Sequence, residues 1–483
     1  MSRSPLDMLD DVLGGGMERL NQAVHHHRLR RHGQLAAMEP RGDRPWARTA
    51  GRPPRDGNDV EVLVDGGTAL PRMAEALQGA TRTVHIAGWH LEPDIHLTRE
   101  PGSPTLRALL AGLADRGVVV RVLLWAGPPL PVFPPHRADV RRARDRLVDG
   151  TGVRCALDSR EYTLHCHHEK LVLVDDRVAF VGGIDLTTLQ GDRYDEPGHP
   201  ARAGIGWHDA AARVTGPAVT DVAHHFRERW QEIVGEHLPE PAAQQPTGHH
   251  RVHLVRTLPN HTYAFAPHGE FSILESYLRA LRTAERFIYL ENQFLWSTEI
   301  CGILDEKLRH PPCDEFRVVV LLPVNPSTGK DTSRGQLGGL INADRGDRLM
   351  ATTVRSGVGE ASGDCYEHAK VGIVDDRWMT IGSANLNEHS LFNDTEVNLV
   401  CDDPDLVRDT RLRLWGEHLE LPAAEVTDPP HRVVDELWRP IASEQLRLLQ
   451  HGEPSTRRLL AIPGLSRRAG RLAGPLRGLL VDG

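Results

Sequence analysis

Lysine is nearly absent from this 483-residue chain. Of 57 basic residues only Lys170, Lys307, Lys330 and Lys370 are lysines, so 57 minus 4 leaves 53 arginines. Long apolar runs are missing too. No stretch approaches the roughly 18–20 residues of a membrane-spanning helix, and the start, MSRSPLDMLDDVLGGGMERL, lacks the basic, apolar and small-residue segments of a secretory leader. The six cysteines include no C-x-x-C pair, and a chain this long can bury a large core without disulfides, so they read as reduced thiols in a cytoplasmic protein. A net charge of -9 weighs against nucleic acid as a partner, because proteins that hold it electrostatically present a basic face. With 40% hydrophobic and 25% charged residues, what remains is an ordinary soluble globular protein, expected to be monomeric.

Where lysine is kept is therefore informative. Lys170 and Lys370 occupy the same eight-residue frame, HEKLVLVD from His168 to Asp175 and HAKVGIVD from His368 to Asp375. An ammonium is a compact charge that can be pressed against one phosphate oxygen, whereas a guanidinium is a wide planar fork. In each frame an apolar run leads to Asp-Asp-Arg and then a second β-like run, which predicts strand, turn, strand. Residues i and i+2 of a strand share a face, so His168 projects beside Lys170, and His368 beside Lys370. Asp175 and Asp375 open the turns, where a carboxylate caps backbone N–H groups, and are assigned to holding the hairpin. The second strands end in Gly182-Gly183-Ile184-Asp185 and Gly382-Ser383-Ala384-Asn385, bringing small and polar groups up beside each His-Lys pair.

The frames lie 200 residues apart, and the segments before them also match. EALQGATRTVHIAGWHL, a helical stretch and VVVRVLLWA in one half answer YLRALRTAERFIYLENQFL, a helical stretch and FRVVVLLPV in the other. Helix, strand, helix, strand and motif hairpin recur in that order, which indicates an internal duplication of α/β units, each a mixed β-sheet flanked by helices. The expected divisions are an N-terminal arm over 1–57, partly disordered; a first half over 58–236; a Pro/Gln/Ala-rich linker over 237–256; a second half over 257–425; and a helical, basic tail over 426–483. The run His25-His26-His27 is taken as a solvated face of the arm. Arginines and leucines interleave from Arg457 to Arg477, which suggests a tail that docks on anionic bilayers.

These motifs resemble the phospholipase D superfamily, whose members carry two such His-Lys-Asp frames. HHEKLVLVDDRVAFVGGIDL, GDRYDEPGH, WHDAAARVTGPAV, IYLENQF and GSANLNEHS are similar to blocks of true phospholipases D, and the similarity runs over roughly residues 58–420. Ala369 stands where a serine is common, and Tyr194 where a tryptophan is frequent. The resemblance implies two halves packed about a pseudo-twofold axis, so that His168, Lys170, His368 and Lys370 converge on one shared active site.

Two lysines beside two histidines are costly without an anion between them, and a phosphodiester fits that need. One histidine then attacks phosphorus and the other protonates the leaving alcohol and later activates water. The residues alone leave open which is which; the resemblance implies His168 as nucleophile and His368 as general acid/base. Each needs an acceptor on its second nitrogen, and the family-matched candidates are Asp195 and Glu396. Ser383 and Asn385 are expected to bind phosphate oxygens, and Gly182 and Gly183 to let backbone approach it. The run His165-Cys166-His167-His168 invites a zinc reading, but side chains that alternate faces cannot share one tetrahedral ion. No metal ligand and no cofactor is assigned. The function expected is hydrolysis of glycerophospholipid head groups at a membrane surface, at the inner face, with phosphatidyl transfer to alcohols in reserve. The competing readings are a cardiolipin synthase-type phosphatidyltransferase, a nuclease of the same superfamily, or an inactive lipid-binding protein. The absence of a membrane helix weighs against the first, Asp185 against the second and the paired histidines against the third.

Overall fold

The computed structural model describes residues 20, 23–42, 44, 46–129, 134–160, 165–325 and 330–462. The duplication becomes two sheets among these residues. The first half supplies β1 (Arg55–Val64), β2 (Thr83–Gly88), β3 (Val119–Trp125), β4 (Arg154–Asp158), β5 (Leu171–Val174), β6 (Val178–Gly182), β7 (Gly206–His208) and β8 (Ala210–Thr215). The second supplies β9 (His250–Leu258), β10 (Glu270–Phe271), β11 (Phe287–Glu291), β12 (Arg317–Leu321), β13 (Leu349–Ser356), β14 (Gly363–Glu367), β15 (Val371–Val374), β16 (Trp378–Gly382), β17 (Glu396–Cys401) and β18 (Leu459–Ala461). Pairing gives the order β1-β8-β6-β5-β2-β3-β4 in one sheet and β9-β17-β16-β15-β11-β12-β13-β18 in the other. The first order corresponds strand for strand to β9 through β13 of the second, to which β18 is added at the edge. In each, only the three strands that follow helical crossovers are parallel, as βαβ connections require.

Alternation along the strands sorts side chains between layers. Leu171, Leu173, Ala179 and Val181 share a central core with Val371, Ile373, Met379 and Ile381. The intervening Val172, Val174 and Phe180 pack under the outer helices of the first half, and Val374 and Trp378 do so in the second. The arrangement is thus helices, sheet, sheet, helices, with the motif hairpins β5-β6 and β15-β16 in the middle. Two seams join the sheets. β1 meets β9 at Arg55–Val252 and Asn58–His250, and β7 runs parallel to β14, pairing His208 with Glu367.

Asp175 and Asp375 are structural, though their carboxylates reach beyond their own turns. Asp175 accepts from the backbone N–H groups of Thr81, Arg82 and Thr83 at 2.7–2.9 Å, and Asp375 from those of Glu285, Arg286 and Phe287 at 2.7–2.8 Å. Each ties a motif hairpin to the start of the central strand beside it, from a backbone with φ of 54° that aspartate tolerates better than most residues.

Three expectations from the sequence change. The described part of the arm is packed: Leu29, Ala37, Met38 and Ala47 join the second half's core, and His25 is buried, stacked on Phe392 at 3.9 Å. Strand β9 begins at His250, inside the span expected as linker, because its apolar residues complete the second sheet beside β17. In the tail, helix Arg439–His451 is followed by β18, whose Leu459 and Leu460 are buried at the sheet edge; residues 463–483 lie outside the described residues. All six cysteines are free thiols, and no helix among the described residues is long and apolar enough to cross a membrane.

Burial works to raise the Asp175 carboxyl, but the N–H groups of Thr83, Thr81 and Arg82 outweigh it and hold the group below its ordinary range. Its stabilisation is therefore complete above about pH 4 and lost as the pH falls further. Asp175→Ala and Asp375→Ala should each cost about 3 kcal/mol in urea unfolding, and wild type should lose more stability than Asp175→Asn between pH 4 and pH 2. An unchanged urea midpoint in both alanine variants would show that the clasp does not hold the hairpin.

Candidate active site

His168 and His368 sit in extended segments that lead into β5 and β15, and each is held by the opposite half of the molecule. The His168 N–H donates to the Thr395 carbonyl at 3.0 Å, and the His368 N–H to the His208 carbonyl at 2.8 Å. The residue after each of those carbonyls is an acid that meets the imidazole. His168 Nδ1 lies 2.9 Å from Glu396 Oε1, and His368 Nδ1 lies 2.6 Å from Asp209 Oδ2. A carboxylate on Nδ1 fixes the tautomer and leaves Nε2 as the nitrogen turned away from the acid.

The lysines follow the two-residue spacing. Lys170 Nζ donates to the His168 carbonyl at 2.7 Å and lies 3.2 Å from Asp185 Oδ2. Lys370 Nζ donates to the His368 carbonyl at 2.5 Å and to Gln293 Oε1 at 3.3 Å, an oxygen that also receives Asn385 Nδ2 at 3.3 Å. Both lysines and all four members of the His-acid pairs are buried. Burial, reinforced by the charges of Lys370, Lys170 and Arg193 and by His168, holds the His368 imidazole well below its ordinary value. The two halves thus bring their motifs within electrostatic reach of each other, in surroundings that disfavour the imidazolium form of His368. Burial also pushes Asp209 up to about 7 against the pull of Lys370 and of the Ala210 N–H, and pushes Glu396 well above the usual carboxylate range against Lys170 and the hydroxyls of Ser383 and Ser390.

Of the expected acids, Glu396 therefore meets a motif histidine and Asp195 does not. Asp195 accepts from the Trp207 N–H at 2.7 Å and lies 3.3 Å from His199 Nδ1 and 3.0 Å from Arg202 Nη1, binding a loop to β7. Asp209 takes the place expected for it. A signal was available in the duplication: Asp209 precedes Pro217 by eight residues, as Glu396 precedes Pro404, and in both halves a strand and then a helix follow.

Three further assignments shift. The Ser383 hydroxyl donates to Glu396 and accepts from the Val397 N–H at 3.1 Å, and Ser390 Oγ donates to Glu396 Oε1 at 2.5 Å, so these hydroxyls steady the acid behind His168. A Cβ on Gly183 would stand 2.1 Å from Asp209 Oδ1, and one on Gly182 would stand 2.5 Å from the Ala210 carbonyl oxygen. The glycines thus make room for Asp209 and β8. Gln293 and Trp207, not singled out in the sequence, belong to the site. The Trp207 ring lies 5.0 Å from His368, and its Nε1 is 3.4 Å from Asp209 Oδ2. The run from His165 to His168 diverges: His165 faces His389 and Asp394, His167 faces Arg229, and His168 faces Glu396.

Paired histidines with crossed acids, two lysines and a duplicated α/β scaffold define a shared catalytic-type centre between two homologous halves. Residues 76–205 match the family model described as phospholipase D, and residues 280–414 the model described as the cardiolipin synthase, phospholipase D-like domain. Phospholipase D A of Dictyostelium discoideum is 26% identical over an alignment that takes in 78% of this chain and 37% of that protein. Phospholipase D2 of Bos taurus is 28% identical, over 73% of this chain and 50% of that protein. The chain thus spans half the length or less of these two relatives. Among solved structures, phosphatidylserine synthase of Haemophilus influenzae shares the fold, with a TM-score of 0.50 and 12% identity over 81% of this chain and 93% of that one. The chain belongs to the phospholipase D superfamily.

Replacing Lys370 by Met removes the nearest positive charge and should raise the His368 pKa; Asp209→Asn, which removes a negative charge, should lower it further. Titration of ¹⁵N-histidine signals, with His368 located by loss of its signal in His368→Asn, checks both directions. A His368 titration unmoved by either change would separate these groups from the imidazole.

Proposed function

We propose that this chain is a phosphodiesterase of the phospholipase D type that cleaves glycerophospholipid head groups at a membrane surface. The observation that carries the reading is the crossed pairing, in which each motif histidine is oriented by an acid from the other half beside a buried lysine. His168 Nε2 attacks phosphorus, and the bond from phosphorus to the head-group oxygen breaks. That oxygen takes the proton from His368 Nε2. A water then gives a proton to His368 as its oxygen attacks phosphorus, the P–N bond breaks and phosphatidic acid leaves. Lys170 and Lys370 stabilise the charge that develops on the equatorial oxygens.

His368 must carry a proton before the first step, although burial and the lysine charges hold its pKa down. The incoming diester resolves this, because its negative charge offsets the lysine field that opposes protonation. Asp209 then stabilises the imidazolium. If an alcohol replaces water in the second step, the product is a new phosphatidyl ester. The cardiolipin synthase description of the model matching residues 280–414 favours transfer as a second reading. The two outcomes share the covalent step and differ only in the acceptor.

Quenching the enzyme and phosphate-labelled phosphatidylcholine in detergent at neutral pH should trap an acid-labile adduct that His168→Asn abolishes; an adduct that persists in that variant would move the nucleophile elsewhere. The ratio of phosphatidic acid to phosphatidylalcohol at increasing primary alcohol separates hydrolysis from transfer. Lys170→Arg and Lys370→Arg should each lower turnover by about 10²–10³, and Asp209→Asn by about 10²–10⁴. Near-wild-type turnover in a folded Lys→Arg variant would remove the ammonium clamp from the mechanism.

A further inference from the structure

Behind the Asp209–His368 pair lies a second constellation that the proposed reaction does not use. Asp65, at the end of β1, His199, in the loop before β7, His208, the last residue of β7, and Glu417, on helix Pro404–Leu419, each place one ligand-type atom in a common space. All four of these atoms lie within 4.8 Å of one another. His199 Nε2 is 3.3 Å from His208 Nδ1, 3.3 Å from Glu417 Oε1 and 3.7 Å from Asp65 Oδ2, while His208 Nδ1 is 3.0 Å from Asp65 Oδ1. Asp65, His199 and His208 are fully buried.

The outer nitrogens of both imidazoles already have carboxylate partners. His199 Nδ1 lies 3.3 Å from Asp195 Oδ2, and His208 Nε2 lies 3.2 Å from Glu291 Oε2. With those nitrogens donating, neutral imidazoles turn lone pairs inward, toward each other and toward two carboxylates. In that neutral form acceptors face acceptors in a buried space, whereas a second proton on either ring, which burial opposes but the surrounding carboxylates favour, would be donated to them across that space. Asp65 Oδ2, which points into it, has no hydrogen-bond partner. Either extra protons or a cation must sit among them.

The spacing suits a cation. Ligand atoms about 2.0–2.2 Å from a tetrahedral zinc stand roughly 3.4 Å from one another; the separations above, measured to one or the other Asp65 oxygen, run from 3.0 to 3.7 Å and bracket that value. Carboxylates on the outer imidazole nitrogens complete the second layer that metal-bound histidines have. We infer that Asp65, His199, His208 and Glu417 form a tetrahedral structural zinc site. Its ligands come from three separate segments of the first half and one helix of the second. It anchors His208, whose carbonyl receives the His368 N–H and whose neighbour Asp209 orients that imidazole. The ion takes no part in the bond changes proposed above.

The test uses the full chain, purified without metal-affinity steps and dialysed against metal-free buffer. Elemental analysis should give about one zinc per chain. Cobalt exchanged into that position should show the intense visible bands of a tetrahedral ion. His199→Gln and Glu417→Gln should each lower bound zinc at least tenfold. Removing zinc from wild type with a strong chelator should lower its melting temperature, and adding zinc, but not magnesium, should restore it. Less than a tenth of an equivalent of zinc in wild type, with no change of melting temperature on adding zinc, would overturn the inference and leave protons as the neutralising charge. Zinc retained in both variants would overturn it equally, as would a different ion held at one equivalent.

Discussion

Each half of this molecule supplies the acid that orients the other half's histidine, and much of the architecture serves that exchange. A buried carboxylate–imidazole pair is worth having only if both groups arrive in register, since either alone would be a desolvated polar group without a partner. Register comes from the backbone. The two donations from histidine N–H to the carbonyls of Thr395 and His208 set the main chains side by side, and the β7–β14 ladder continues the alignment through Trp207 and Tyr366. Because acid and carbonyl are consecutive residues, fixing one positions the other.

The scaffold around the exchange is symmetric in topology and asymmetric in chemistry. In the first half the residue between His168 and Lys170 is Glu169, fully buried against His225 at 2.5 Å and Arg229 at 2.7 Å. Arg229 also meets Asp158 and His167, so helix Ala218–Val234 is locked to the first motif by charge. The matching residue of the second half, Ala369, is simply part of the central apolar core. The lysines differ likewise: Lys170 faces the carboxylate of Asp185, and Lys370 the amide oxygen of Gln293. The two lysines thus rest against unlike polar partners. That difference suits a site whose two histidines perform unlike steps, and it follows from single substitutions laid on a duplicated frame.

Local regularities are what the sequence by itself determined. The i, i+2 spacing of His and Lys, the alternation that buries both faces of the hairpin strands, the turn aspartates and the repeated order of elements are all short-range patterns, and each is expressed directly in φ/ψ and burial. Glu396 was legible through the family resemblance, which matched the block it stands in. The packed arm and β9 were less legible because their polar and Pro-rich surroundings conceal scattered apolar residues, such as Leu29 and Val255, whose burial depends on a distant partner surface.

Contacts between the halves were decided only by the tertiary structure. Asp195 and Asp209 are both plausible acids in one stretch of sequence, and the choice between them depends on which one the β7–β14 seam delivers to His368, more than 150 residues away. Ser383, Gly182 and Gly183 sit where phosphate contacts were expected, yet close packing turns the serine toward Glu396 and uses the glycines to admit Asp209 and β8. The Asp65, His199, His208 and Glu417 group had no signature at all, because its members are spread over some 350 residues and meet only when helix Pro404–Leu419 closes over the end of β1. Periodicity reports which face a side chain takes; it carries no information about what the rest of the chain brings to that face.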